Sequence, residues 1–205
     1  MVLAVLATGL FHEILPVDFR VTPESFYIYP LFLLLFLIVL IVGDPGRAGA
    51  RRQWLRAVTF AMIGFLTVTT ALAAVSLVHG IFTHATFTSS AELFTIGAAV
   101  WLTNVIAFSL WFWDLDAGGS AARGSGSPRI PPAFVFPEMT HHDLVPDGWY
   151  AQYPDYLALA FNVALAFSPT DVSAIRRWAK LMMVLEGLIS LALAALVVTR
   201  AVNIL

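Results

Sequence analysis

Three polar side chains lie inside otherwise apolar stretches of the sequence and are the first candidates for chemistry: Asn104, Asn162 and Glu186. An ionisable group in hydrocarbon is costly and usually faces the interior of a helical bundle. Glu186 follows Lys180 by six positions, which is a poor alignment for a pair within one helix. We therefore expect Glu186 to face Asn104, Asn162 or Arg56 in a neighbouring element. Such a contact has two interpretations, a step for an ion or proton and a structural hydrogen bond between helices.

The second candidate is the break in the apolar sequence that runs from Phe167 through Ser168, Pro169 and Thr170 to Asp171. One interpretation is an ordinary helix start, with Ser168 as the N-cap, Pro169 at the first helical position and Asp171 near the positive end of the helix dipole. The other is a re-entrant loop, in which a half-helix enters the membrane, irregular backbone returns and a full helix crosses. Non-helical backbone at membrane depth requires surrounding protein or a water-filled cavity. These five residues, with Asn162 and Glu186, are the candidates for a polar pathway.

Asp114 and Asp116 form an acidic pair at the end of an apolar segment. We expect their carboxylates to stay solvated at the membrane interface, where they and Glu138 would be the candidates if divalent ions or lipid headgroups bind. The run His141 to Asp143 does not predict a metal site, because three adjacent side chains cannot all reach one ion without a special turn. No catalytic motif is recognisable, and the absence of cysteine excludes thiolate chemistry. We predict no enzyme activity, no metal and no cofactor.

The composition indicates the solvent around these residues. Of the 205 residues, 60% are hydrophobic and 12% are charged, and the mean hydropathy is +0.85. A soluble domain is about half apolar and about a quarter charged. The sequence therefore predicts an integral membrane protein whose main partner is the lipid bilayer. The net charge of -2 gives no indication of a nucleic-acid partner, because the charges lie in loops, where their placement matters more than their sum.

The apolar segments predict the helices that position the candidate residues. A helix needs about 20 apolar residues to cross about 30 Å of hydrocarbon. Four segments are read as spans, the first with Tyr27 and Tyr29 as interfacial anchors: Phe26–Gly43, Trp54–Phe82, Glu92–Trp113 and Arg177–Val202. Met1 to Leu15 lacks the charged start and cleavage pattern of a signal peptide and predicts a first helix, short or partly interfacial. The predicted fold is an all-α polytopic membrane bundle of about five transmembrane helices plus a half-helix at Tyr156–Phe167, which is too short to cross.

The chain, 1–205, is predicted to be one multi-pass membrane domain with a hydrophilic loop at 117–154. The loop begins with a Gly- and Ser-rich flexible stretch. Its later part has too many prolines for a helix and too many aromatic residues for a free linker. Four aromatic residues are therefore expected to contact the helix ends: Phe134, Phe136, Trp149 and Tyr153.

A channel-like helix-loop-helix is predicted at 155–203. Its last helix carries Gly187, Ser190 and Ala194 on one face. Such a stripe of small residues lets another backbone come close. It serves either packing within the chain or contact between the subunits of a homo-oligomer.

Arginine placement predicts the orientation in the membrane. The segment 43–56 carries four arginines, whereas 83–91 has neither lysine nor arginine. By the positive-inside rule the segment 43–56 is cytoplasmic. Counting spans from there puts the N-terminus and the long loop inside and the C-terminus outside. The same count puts Arg176, Arg177 and Lys180 near the cytoplasmic face, as the rule requires.

The segment from Tyr156 to Leu196 resembles the pore module of two-transmembrane potassium channels, in which a pore helix, a filter of the type Thr-Val-Gly-Tyr-Gly-Asp and an inner helix follow one another. Asp171 matches the last filter residue, and the run from Trp178 to Leu181 matches the Trp-Gly-Arg-Leu-like start of the inner helix. Ser168 and Thr170 replace the two filter glycines, and Pro169 stands at the tyrosine position. Potassium filters need glycine for the backbone conformations that point carbonyls inward. The resemblance therefore implies the layout of the module with a degenerate filter, without potassium selectivity.

Nearly the whole chain also resembles a group of uncharacterised bacterial multi-pass membrane proteins, common in actinobacteria. The shared stretches are "WLTNVIAFSLWFWDLDAGG", "FVFPE", "AFSPTD" and the ending from Thr199 to Leu205. This resemblance implies no activity, because the group has no established one. It suggests that Asn104, the segment 114–116 and the turn at 168–171 belong to a shared design.

Two functions fit these residues. The first is a channel-like or transport-related protein with a polar pathway near the turn at 168–171. The second is a non-conducting structural or interaction protein in which that turn is only the N-cap of a helix.

Overall fold

The computed structural model describes residues 1–16, 28–43, 53–83, 89–119, 122–123, 130–166 and 171–204, and all structural statements refer to these residues. This part of the chain is 82% helical, and its strands form one small two-stranded ribbon. The helices are α1 (Val2–Ile14), α2 (Ile28–Gly43), α3 (Gln53–Phe82), α4 (Ser90–Leu115), α5 (Tyr153–Ala166) and α6 (Arg177–Ile204). The strands are β1 (Phe134–Val135) and β2 (Ser173–Ala174). Single 3-10 turns follow at Asp116–Gly118, Pro137–Met139 and His142–Leu144.

Three of these helices are long and apolar enough to cross a membrane: Trp54–Phe82, Ser90–Gly118 and Arg177–Val202. The predicted all-α membrane bundle is confirmed at this level, and the three spans lie where the sequence predicts them. The helices α1 and α2 have 13 and 16 residues, which correspond to about 20 and about 24 Å of helix. The helix α1 is short, as the sequence predicts, and the described part of α2 is shorter than the span predicted for it, so three of the described helices have the length of a full crossing. The predicted start of the second span at Phe26 lies outside the described residues.

The helix α4 lies at the centre of the bundle. In the most apolar stretch of α4, 72% is buried inside the structure, compared with 39% in α3 and 33% in α6. It packs against α1, α3, α5 and α6. Large apolar side chains such as Leu181, Val184 and Leu188 of α6 are exposed on the outside of the bundle. A helix with apolar residues on all sides is expected either in a core or in contact with lipid, and here α4 occupies the core and α6 the rim.

Both α5 and α6 run antiparallel to α4. Along α5, Tyr153 meets Ser109 and Phe161 meets Trp101. Along α6, residues with higher numbers likewise contact residues of α4 with lower numbers: Ser190 meets Asn104, Val197 meets Gly97 and Ala201 meets Ser90. The helices α5 and α6 are therefore parallel to each other. They begin at the same end of the bundle, which holds Phe112, Phe134, Tyr156 and Trp178 and is called the aromatic end below.

The antiparallel ribbon fixes the chain at the aromatic end just before α6 begins. Phe134 pairs with Ala174 and Val135 with Ser173, and the Ile175 amide donates to the Ala133 carbonyl at 2.7 Å. The backbone N–H and C=O groups of these residues therefore form hydrogen bonds between the two segments and not within a helix. The interpretation of the turn as the start of the last helix does not hold for α6, because Asp171 lies outside any helix and α6 begins only at Arg177. Ser168 and Pro169 themselves lie outside the described residues.

Candidate functional site

Asn104 and Ser190 connect the central helix to the last one. The Asn104 Nδ2 donates to the Ser190 Oγ at 3.3 Å, and both side chains are buried. Glu186 precedes Ser190 by one helical turn, so the two residues share a face of α6. This buried polar face is the best-defined arrangement of the residues singled out in the sequence.

Glu186 has no exposed surface, and neither of its carboxylate oxygens has a hydrogen-bond partner among the described residues. None of the expected partners supplies a bond. Asn104 bonds to Ser190 instead, Asn162 is only half-buried, and the guanidinium of Arg56 lies over the Phe60 ring at 5.8 Å. The structure therefore shows no hydrogen bond from Glu186 to any of the three, although Asn104 contacts the same face of α6 through Ser190. A buried carboxyl group without a donor is costly in hydrocarbon and marks a functional position by default.

The other pathway candidates do not gather around Glu186. Asp171 is exposed and lies beside β2 at the aromatic end. Glu186 stands nine positions into α6, about 14 Å along the helix from that end. Phe167, Ser168, Pro169 and Thr170 lie outside the described residues. The described part thus contains a buried acid within the bundle and an exposed acid at its end.

The expectation that Asp114 and Asp116 are solvated is wrong. Their exposed fractions are 1% and 0%. The Asp116 carboxylate accepts hydrogen bonds from the Tyr156 hydroxyl and from the Ala133 amide, and so connects the end of α4 to α5 and to the loop before β1. Burial first, and the charge of Asp116 second, raise the pKa of the Tyr156 hydroxyl above its ordinary value. Tyr156 therefore stays protonated and remains a donor.

Arg123 provides a positive charge beside this acidic pair. Its Nη1 donates to the backbone carbonyl of Asp116 at 2.6 Å, and its Cζ lies 4.9 Å from the centre of the Tyr156 ring. The chain reaches this position through a tight turn, in which Ala117, Gly118 and Gly119 have φ of 48°, 83° and 93°. A Cβ on Gly119 would lie 3.2 Å from the Asp114 carbonyl oxygen, so glycine is required there by both conformation and space. The predicted acidic interface is thus a buried polar cluster that joins the end of α4 to the loop.

The four predicted loop aromatics lie where the sequence places them, against the helix ends. Phe134 is fully buried among Phe112, Tyr156 and Trp178, with ring centroids 5.1 to 6.2 Å away. The Phe136 ring lies 6.4 Å from that of Trp149. The Tyr153 hydroxyl lies 2.9 Å from the Ser109 Oγ. Residues 130–152 therefore form part of the packed molecule.

The small-residue stripe on α6 is divided between interior and surface. Gly187 and Ser190 are buried, and Ser190 contacts α4 of the same chain. Ala194 is exposed. Two of the three residues therefore serve packing within the chain, and only Ala194 remains accessible to a neighbouring subunit.

A group of polar residues was missed in the sequence. Four helices contribute side chains to a small internal cavity lined by Thr8, His12, Tyr29, Thr69, Thr70 and Thr103. Tyr29 is 3% exposed and stacks on His12 with centroids 3.9 Å apart, so its assignment as an interfacial anchor is wrong. The available signal was the presence of threonine at the centres of two spans. It is weak, because a threonine hydroxyl can bond to its own helix at any depth.

No group of three histidine, aspartate or glutamate side chains in the described ranges could hold a metal ion. Comparison of the chain with family models, with curated proteins and with solved structures found no match. The functional argument therefore rests on the geometry of this chain.

Proposed function

We propose that the protein is a channel-like or transport-related membrane protein, with α5 as a re-entrant half-helix and with residues 167–171, Asn162 and Glu186 lining or supporting a polar pathway. The observation that carries the proposal is the common starting end of α5 and α6. A crossing helix would deliver the chain to the opposite end, yet β2 pairs with β1 at the aromatic end again.

The lengths of the segments support a re-entrant path. The 14 residues of α5 extend about 21 Å, less than the roughly 30 Å of hydrocarbon. From Ala166 to Val172 the chain can extend about 20 Å, which is enough to return to the end where α5 began. Backbone that turns within the membrane needs protein or water around it, and a wet cavity at 167–170 would meet that need.

Glu186 supports a pathway more directly than the other candidates. Its carboxyl group is fully buried in a spanning helix and lacks a hydrogen-bond partner in the described part of the chain. Intramembrane acids of this kind commonly belong to ion or proton routes. The described residues of one copy supply a single half-helix, so the proposal includes a homo-oligomer in which the side of α6 with Ala194 faces a neighbour.

Cysteine labelling tests the re-entrant path, because the chain contains no cysteine. Three exposed positions are suitable for single replacements: Thr83, Asp143 and Ser173. We expect Asp143→Cys and Ser173→Cys to be labelled from one side of the membrane, the cytoplasmic side by the arginine distribution, and Thr83→Cys from the other. Labelling of Asp143→Cys and Ser173→Cys from opposite sides would mean that α5 crosses and would reject the proposal.

Ion flux tests the pathway itself. Proteoliposomes with the unmodified protein should pass protons or small ions down an imposed gradient, and Glu186→Gln or Asp171→Asn should change the rate. Glu92→Gln, in the first turn of α4, is the matched control and should leave the rate unchanged. The absence of flux in the unmodified protein under gradients of H⁺, Na⁺, K⁺ and Cl⁻ would refute conduction.

The alternative is a non-conducting structural or interaction protein. The Asn104–Ser190 hydrogen bond favours it, because this polar pair is used between two helices of one chain. Because α6 begins only at Arg177, the turn at 168–171 does not supply the N-cap of this helix. Without the cap this alternative predicts a monomer with no flux, so measuring the oligomeric state in lipid separates the two functions.

A further inference from the structure

A polar cavity in the middle of the bundle has no part in the proposed pathway. Its volume is about 20 Å³, enough for about one water-sized particle. Six polar side chains from α1, α2, α3 and α4 line it: Thr8, His12, Tyr29, Thr69, Thr70 and Thr103. Each is less than 10% exposed. Each threonine is satisfied by its own helix and did not need a polar neighbour, so helix packing alone does not explain why the six side chains converge.

The hydroxyl protons around the cavity are already used. Thr8 donates to the Val5 carbonyl at 2.7 Å and Thr103 to the Ala99 carbonyl at 2.8 Å. Thr69 and Thr70 donate to carbonyls of the preceding turn of α3. The Tyr29 hydroxyl interacts with those of Thr8 and Thr69. The threonine oxygens therefore present lone pairs to the cavity and have no proton left to donate.

We propose that this cavity binds one monovalent cation of about the size of a water molecule. A water molecule donates only two hydrogen bonds, whereas a cation interacts favourably with every oxygen around it. No aspartate or glutamate is among the described residues that line the cavity, which disfavours Ca²⁺ and Mg²⁺, since these ions take carboxylate ligands.

Thermal unfolding of the full chain in detergent tests the proposal. The Tm is measured in the chlorides of Li⁺, Na⁺, K⁺ and NH₄⁺ at constant ionic strength, with choline, which is too large for the cavity, as the balancing cation. One of the small cations should raise Tm by several degrees above choline and increasingly with concentration, because a ligand that binds only the folded state stabilises it. A Tm equal to that in choline for all four cations means that water alone fills the cavity and overturns the proposal.

Substitutions of the cavity threonines test whether the rise in Tm comes from this cavity. Thr69→Val and Thr103→Val replace a hydroxyl group by a methyl group of similar size and should abolish the rise in Tm. Thr95→Val is the matched control: Thr95 donates to its own helix carbonyl at 2.8 Å in the same way but is exposed, so its variant should keep the rise. Retention of the full effect in both cavity variants would overturn the proposed site.

Equilibrium dialysis of the unmodified protein provides a test that needs no variant to fold. The cation that raises Tm most should bind saturably at about one ion per chain, as the cavity volume implies, and choline should not displace it. Absence of saturable binding would overturn the proposal. Neither result depends on ion flux, so the cavity and the pathway can fail separately.

Discussion

The Tyr156 hydroxyl donates a hydrogen bond to the buried carboxylate of Asp116 and thereby joins the start of α5 to the end of α4. The same carboxylate accepts the Ala133 amide, which lies next to β1. Because β1 pairs with β2, this one acid is connected to the segment that leads into α6. The helices α5 and α6 and the loop before β1 are therefore held together at the aromatic end by the Asp116 carboxylate and the ribbon.

Tyr156→Phe should destabilise the protein. The substitution keeps the ring among Phe134 and Phe136 but removes the donor, leaving a buried carboxylate oxygen less well satisfied. Such a loss costs about 1–3 kcal/mol. Thermal unfolding in detergent should show a lower Tm, while Tyr150→Phe, at an exposed tyrosine, should leave Tm unchanged. Equal Tm values for the two variants would contradict the role assigned to the Tyr156 hydroxyl.

Gly97→Ala should push α4 and α6 apart. A Cβ at this position would lie 2.7 Å from the Val197 Cγ2, and overpacking of this kind costs about 1–3 kcal/mol. The double variant with Val197→Ala should recover most of the lost stability. Gly64→Ala is the control, because nothing lies within 4 Å of its Cβ, and it should stabilise α3 by up to about 1 kcal/mol. Loss of stability in Gly64→Ala, or no rescue by Val197→Ala, would show that the contact is not the cause.

The helices could largely be predicted from the sequence, because a membrane span is a long uniform signal. The last span was predicted to start at Arg177 and does so. The sequence predicts that α5 starts at Tyr156, three residues later than its observed start at Tyr153. The reason is that Tyr153 and Pro154 fit the end of a loop equally well. The short ribbon before α6 could not be predicted, because Ser173 and Ala174 have no strand pattern and pair only through tertiary contact with β1.

The candidate site was predicted less well, because burial of polar groups depends on partners distant in sequence. Asp116 reads as a solvated helix end, yet Tyr156, 40 positions later, covers it. Asn104 and Glu186 were both recognised as intramembrane polar residues. The hydrogen bond from Asn104 to Ser190 was not predicted, because Ser190 fits the pattern of a small packing residue and its sequence position gives no sign that its hydroxyl group is an acceptor.

The coupling between Asn104 and Ser190 should be modest. Interhelical hydrogen bonds in membrane proteins contribute about 0.6 kcal/mol on average, and the 3.3 Å distance indicates no unusually strong bond. A double-mutant cycle with Asn104→Leu and Ser190→Ala should give a coupling energy below about 2 kcal/mol. The same variants in proteoliposomes test whether Asn104 belongs to the pathway: Asn104→Leu should leave flux intact if the pair only joins helices. Loss of flux without loss of stability would assign Asn104 to the pathway.

Phe134→Ala should be among the most damaging single substitutions in the loop. The ring is fully buried against Phe112, Tyr156 and Trp178, so it contacts α4, α5 and α6 together. Removing a buried phenylalanine side chain costs about 3–5 kcal/mol, and here the cavity would open where three helices meet. Leu144→Ala in the same loop is the control, because Leu144 is 77% exposed and should tolerate the change. A labelling experiment tests the same anchor directly. If the Phe134 ring holds the start of α6, Ser173→Cys should react faster with a water-soluble thiol reagent when Phe134→Ala is also present. If Phe134→Ala changes neither the labelling rate nor the Tm, the loop is not held to the helices through this ring.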